Sequence, residues 1–175
     1  ACFMTMRSEN EDSYMFHTPL VDAAAFQAEA AGIPLVVQAT AGKKEKELED
    51  LKRLLVRAKA EYKIDGVLTG ALFSTYQRDR IEKACDEVGL TCWNPLWHKD
   101  QKQYMYELLK ADFSFVMSKV MAEGLDKDWV GRVLTKEDVD RLVRLNENVG
   151  MNVAGEGGEF ETLVLDCPLF TKRLM

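Results

Sequence analysis

The sequence predicts an α/β protein built on a mostly parallel, doubly wound, Rossmann-like sheet with a smaller C-terminal portion. Three observations carry this. Short apolar runs alternate with stretches of helical periodicity along the whole chain. Glycine, proline or a capping residue marks nearly every junction. No repeat, low-complexity segment or Pro/Gly/Ser-rich linker interrupts the alternation.

In chain order, residues 1–6 read as a strand, followed by a polar loop over 7–18. Thr18 can cap a helix with Pro19 at its first position, and Gly32 can close it. Residues 33–37 are a short buried strand. The clearest helix spans 44–62, with Leu48, Leu51, Leu55, Ala58 and Tyr62 spaced three and four apart. Its outer face carries pairs such as Glu49 and Arg53, a solvated surface. Residues 64–69 form the next strand, ending at Gly70. Ser74 and Gln77 make an S-x-x-Q box that opens a helix with Ile81, Ala84, Cys85 and Val88 inward, stopped by Gly89. Residues 90–93 are a strand broken by Asn94-Pro95. Asp100 and Gln103 cap a helix to Ala111, and 113–120 is apolar enough for a buried strand. Residues 121–134 lack a period and hold Gly124 and Gly131, which suggests a surface excursion. Thr135 caps a last helix through Val149, closed by Gly150. Residues 151–154 and 160–166 read as final strands flanking a glycine turn.

A chain of 175 residues suffices for a full core, burying roughly 70% of its unfolded surface. Its 47% hydrophobic and 30% charged content is that of a globular protein. A net charge of −6 argues against nonspecific nucleic-acid binding. No apolar stretch is long enough to span a membrane. Cys2, Cys85, Cys92 and Cys167 form no C-x-x-C pair, so we expect free thiols in a reducing, cytoplasmic setting. Because the first residues already read as strand, we expect further sequence upstream.

In open parallel sheets, ligands bind beyond the carboxyl ends of the strands. Those ends carry the loop Arg7 to His17, the segment Gly70 to Gln77, and the turn Gly155-Glu156-Gly157-Gly158-Glu159-Phe160-Glu161-Thr162. In the turn, three glycines permit close backbone approach, and three carboxylates stand at the mouth of an apolar run, where charge is costly unless paired. Strand alternation puts Glu159 and Glu161 on the face of Leu163 and Leu165, with Phe160, Thr162 and Val164 opposite. The alternative is a glycine turn with solvated acids. Arg78 and Arg80 sit in early helical turns, where the dipole disfavours cations, as an anion at the helix start would explain. His17 could act as a base or simply pack. The aromatic stretch Trp93 to His98 reads as core or rim packing.

Taken together, Ser8-Glu9-Asn10-Glu11-Asp12-Ser13-Tyr14-Met15-Phe16-His17, Gly70-Ala71 with Ser74-x-Tyr76-Gln77-x-x-Arg80, Pro95-Leu96-Trp97 and the 155–162 turn resemble the diphthine–ammonia ligase family of the archaeal type. The resemblance covers essentially the whole chain. It implies the adenine-nucleotide α-hydrolase-like fold of the ATP pyrophosphatases. It implies a nucleotide-binding portion over 1–95 and, over 96–175, a portion carrying the substrate turn, the two forming separate domains or one continuous unit. The implied reaction is ATP-dependent amidation of diphthine on elongation factor 2 by ammonia, through an acyl-adenylate, giving diphthamide, AMP and pyrophosphate. Mg²⁺ is expected with ATP. No residue is assigned to a metal, and self-association stays open.

Carried over by position, Met6, Arg7, Ser8, Gly70, Ala71 and Ser74 would hold the nucleotide. Tyr76, Gln77 and Arg80 would serve catalysis near the phosphates or the reacting carboxylate. Glu156, Gly157, Gly158, Glu159, Glu161 and Thr162, with Asn10, Ser13 and His17, would bind the diphthine side chain, whose quaternary ammonium suits carboxylates. One departure stands out. The family's phosphate loop, S-G-G-K-D-S, is not in this sequence and is expected upstream, in a strand–loop–helix of ~30 residues. Without it, the alternative is a catalytically incomplete nucleotide-binding or interaction module.

Overall fold

The computed structural model describes residues 1–8, 22–42 and 46–174. The expected Thr18–Pro19 helix start and the loop residues Asn10, Ser13 and His17 lie outside the described residues. The chain divides into two compact units, Ala1–Glu29 with Ile33–His98, and Ala30–Gly32 with Lys99–Met175.

In the first unit, β1 (Phe3–Ser8) pairs in parallel with β2 (Leu35–Thr40), from Phe3 opposite Leu35 to Ser8 opposite Thr40. Strands β3 (Gly66–Leu68) and β4 (Thr91–Trp93) form a second parallel pair. Helices α1 (Ala23–Ala31), α2 (Lys46–Tyr62) and α3 (Thr75–Glu87) complete the α/β alternation. Gly32 follows α1 in the left-handed region, φ 64°, as a closing glycine should. The leucines of α2 and the small residues of α3 build the core: Leu51 and Leu55 pack with Val67, Ala84, Cys85 and Leu90, while Leu54 packs with Met6 and Val36. Each buried leucine contributes about 2 kcal/mol. On the opposite strand face Val37, Leu68 and Trp93 stay exposed. Among the described residues the two parallel pairs are separate ladders, which shows a mixed α/β class with short parallel strand pairs. Trp93 lies so closely over Gly66 that a Cβ there would run into its indole ring.

The second unit comprises α4 (Gln101–Lys110), β5 (Ser114–Val120), a 3₁₀ turn (Lys127–Trp129), α5 (Lys136–Val149) and β6 (Phe160–Asp166). Here β5 and β6 are antiparallel. The reason is where the chain re-enters: Val120 faces Phe160, and Met121 N–H donates to Glu159 O at 2.7 Å, so β6 must run back along β5. Residues 151–154, expected as a strand, make no ladder. Side chains take the place of a neighbouring strand. Asn146 Nδ2 donates to Met151 O (2.7 Å), Glu159 accepts from Asn152 N–H (2.9 Å) and Gln101 accepts from Ala154 N–H (3.0 Å). Met151 and Val153 are buried all the same.

The expected surface excursion over 121–134 is mostly exposed, with two residues turned inward. Its Trp129 and Leu134 are core residues, packed with Met117, Val139, Leu142 and Phe160. Trp129 lies under the guanidiniums of Arg141 and Arg132, 4.4 and 5.2 Å from the ring centre. Both arginines pair with Asp138, which also completes the capping box with Thr135. Gly150, φ 74°, ends α5 as read from the sequence.

Candidate functional site

The loops that follow β3 and β4 are tied to each other. Thr69 N–H donates to Trp93 O (3.0 Å) and its hydroxyl donates to Asn94 Oδ1. Asn94 Nδ2 in turn donates to Glu82 Oε1 on α3 (2.8 Å), and His98 N–H donates to Leu72 O (2.9 Å). Gly70 and Ala71 hang between these anchors, at the carboxyl end of β3 where a ligand is expected. A Cβ at Gly70 would meet nothing within 4 Å, so the backbone there faces open space. At the end of β1 the Met6 side chain is buried, leaving its backbone as the available contact. Arg7 pairs with Asp22 at 3.1 Å, both exposed.

The start of α3 is capped as the sequence implied, Ser74 Oγ accepting from Gln77 N–H at 3.3 Å. The arginines behind it have neighbours of their own. Arg78 lies 4.1 Å above the Trp97 ring, with Asp79 at 2.6 Å and Glu82 at 3.6 Å. This brings together Trp97 and the 74–80 segment and offsets the unfavourable dipole at that position. Arg80 stacks on Tyr76 at 3.5 Å and donates to the Tyr76 carbonyl at 3.4 Å. A planar cation on an aromatic face is held rigidly and keeps its charge, which suits a phosphate or carboxylate neighbour.

Two thiols line the same region without reactive character. Burial pushes the Cys85 thiol up to about 12, and burial raises Cys92 as well. A raised pKa disfavours the thiolate, the form in which a cysteine attacks. Among the described residues no group of three His, Cys, Asp or Glu stands close enough to hold a metal ion.

The glycine–glutamate turn of the second unit has a geometry that spacing alone did not reveal. Glu159 folds back into the turn. Its Oε1 accepts from Asn152 N–H (2.9 Å) and Asn152 Nδ2 (3.0 Å), and its Oε2 accepts from Gly157 N–H (2.7 Å). Gly155 and Gly158 take φ of 78° and 85°, where a β-carbon is strained. A Cβ on Gly157 would lie 2.6 Å from Glu159 Oε1 and 2.7 Å from Asn152 Nδ2. The turn is therefore shaped around one carboxylate. Glu156 is exposed, Glu161 is half-buried opposite Lys119, and Thr162 is exposed. Burial, with the nearby Glu156 charge, raises the Tyr104 phenol above its ordinary range.

Sequence reading missed Thr69, Glu82, Gln101 and Asn152, and treated Asn94 only as a strand breaker. The signal for Asn94 and Thr69 was available, because each directly follows a parallel strand. Gln101 carried none, since it meets the turn only through the fold.

The described residues thus form a two-unit α/β protein with tethered strand-end loops in the first unit and a carboxylate-bearing turn in the second. The chain belongs to the diphthamide synthase family: residues 1–92 match the diphthamide synthase N-terminal domain and residues 100–175 the C-terminal domain. It is similar to proteins named diphthine–ammonia ligase. The mouse protein is 36% identical over 97% of this chain and 68% of its own length, and the zebrafish protein 37% over 96% and 70%. The fission yeast protein is 36% identical over 94% of this chain, which spans 29% of that longer relative. No helix among the described residues is long and apolar enough to cross a membrane.

Proposed function

We propose that this chain acts in diphthamide formation, as a ligase that amidates the carboxylate of diphthine on elongation factor 2 at the expense of ATP. The observation that carries this reading is the self-held 155–162 turn, which fixes where Glu156 and Glu161 stand for a quaternary ammonium group. A quaternary ammonium has no N–H to donate, so a carboxylate meets it by charge attraction alone. Gly157, Gly158 and Thr162 line the same substrate position, and the resemblance adds Asn10, Ser13 and His17.

The first unit takes the nucleotide in this proposal. Backbone groups of Met6, Arg7 and Ser8 hold the adenine, and Gly70 and Ala71 border it from β3, with Ser74 beyond. Bound ATP supplies the leaving group: the diphthine carboxylate takes up adenylate with release of pyrophosphate, and ammonia then displaces AMP to leave the amide. Arg80, stacked on Tyr76, offers a fixed positive charge to the anionic groups, and Gln77 a side-chain amide at the same helix start. The doubly wound arrangement is part of this proposal, as the architecture that ATP pyrophosphatases share.

The test is diphthine-dependent release of AMP and pyrophosphate, measured on this chain and on one extended upstream. AMP and pyrophosphate in equal amounts, only with the diphthine-bearing factor and ammonia present, is the expected result. No AMP from the extended chain refutes the ligase reading. ATP binding without turnover in both would favour the nucleotide-binding module.

A further inference from the structure

We propose that Gln101 is a positioning residue for the substrate turn, acting through Asn152 and Glu159, and that Glu159 shapes the turn rather than touching the substrate. This rests on the substrate reading of the turn given above.

The contacts form one continuous chain. Gln101, the first residue of α4, donates from Nε2 to Asn152 Oδ1 (2.8 Å) and accepts at Oε1 from Ala154 N–H (3.0 Å). Asn152 thereby has its amide plane fixed, and it presents Nδ2 and its own N–H to Glu159 Oε1. The other Glu159 oxygen holds Gly157 N–H. Every group facing Glu159 is a donor, so the site demands an acceptor with no hydrogen of its own, which is what a carboxylate is. A glutamine at 159 would turn an NH₂ toward one of these N–H groups. A carboxylate engaged at both oxygens by the turn is poorly placed to meet a trimethylammonium group, whereas it sets the backbone that carries Glu156 on one side and Glu161 on the other. Gln101 anchors this arrangement to a helix whose N-cap, Asp100, is satisfied independently by Gln103 N–H at 2.7 Å. Replacing Gln101 therefore loosens the relay without uncapping α4.

Amide hydrogen exchange on this 175-residue chain tests the relay without reference to activity. In Gln101→Ala the amides of Ala154 and Gly157 should exchange roughly tenfold faster, the factor that loss of one ordinary hydrogen bond allows. In Gln101→Glu the acceptor for Ala154 is kept and the donor to Asn152 is lost. Gly157 should then be released while Ala154 stays protected. The β6 amides should be unchanged in both variants. Unchanged exchange at Gly157 overturns the relay, and faster exchange throughout β6 overturns positioning in favour of general support. In the form that releases AMP, Gln101→Ala should raise KM for the diphthine-bearing factor about tenfold while KM for ATP stays within about twofold. A change in the ATP value alone overturns the assignment. If the wild-type protein releases no AMP, the ligase reading fails, and the exchange experiment still decides the relay.

Discussion

Replacing Asn94 by alanine removes a side chain that ties the ends of β3 and β4 to α3 at the edge of the proposed nucleotide site. Two strong hydrogen bonds go, the one accepted from the Thr69 hydroxyl and the one donated to Glu82 at 2.8 Å, with a weak one donated to Cys92 Sγ at 3.8 Å. The first, between neutral groups, is worth about 1 kcal/mol, and the second, to a carboxylate, about 1.5–3 kcal/mol. Glu82 is 41% exposed, so water replaces part of that second contribution, and the net loss comes to about 2 kcal/mol. In a domain of this size 1 kcal/mol moves the midpoint by about 2–4 °C, so the variant should melt about 4–8 °C lower in scanning calorimetry. The Gly70–Ala71 backbone loses one of its anchors with it, and ATP binding by titration calorimetry should weaken about tenfold, or 1.4 kcal/mol. Asn94→Asp sharpens the test. It keeps an acceptor for Thr69 but sets a second carboxylate against Glu82, so it should be less stable than wild type at pH 7 and recover as the pH falls to about 4, where one of the pair protonates. An Asn94→Ala protein that melts and binds ATP like wild type, or an Asn94→Asp protein equally stable at pH 7, would refute the tether.

Gly157→Ala places a methyl against Glu159 Oε1 and Asn152 Nδ2, both under 3 Å away, and should raise KM for the diphthine-bearing factor about tenfold with little change for ATP; steady-state kinetics would check it. Glu161→Gln should weaken the cationic substrate and spare ATP, and a loss of ATP affinity instead would put the turn on the wrong ligand. Tyr106→Phe has a pH signature. The Tyr106 hydroxyl, then Lys136, holds Asp140 below its ordinary 3.8, so this stabilisation is present above that value and is lost as pH falls through the lowered one. The same bond raises Tyr106 above its ordinary 10.0, so its share is present below pH 10.0 and lost as pH rises through the raised value. The melting difference from wild type should be constant from about pH 5 to 9 and shrink on both sides; a flat difference would discount the pair.

The caps were legible because each is a local chemical device. Ser74, Asp100 and Thr135 cap the helices the sequence assigned to them, and Gly150 closes α5. The β-strand at 160–166 was equally readable from its apolar alternation. What failed were features whose partners come from far along the chain. Residues 151–154 alternate like a strand, yet their hydrogen bonds are met by Asn146, Gln101 and Glu159. The 121–134 stretch is mostly exposed, as read, and what its lack of period hid is the inward turn of Trp129 and Leu134, with Val130 and Val133 making single bridges to β5. For the candidate site, composition and strand ends pointed to the segments from which the proposed function is built. The use of Glu159 inside its own turn was hidden, since spacing cannot say which way a carboxylate folds.

The burial of Trp129 makes the protein its own optical instrument. Of its three indoles, Trp129 is sealed in the second unit at 1% exposure, while Trp93 is half in water and Trp97 is capped by Arg78 in the first. An indole in an apolar site emits to the blue of one in water and resists quenching by iodide. The short-wavelength, unquenchable part of the emission therefore reports on the second unit, and the quenchable part on Trp93. With Trp129→Phe as the subtraction control, unfolding of the two units can be followed separately in one cuvette, with no label attached.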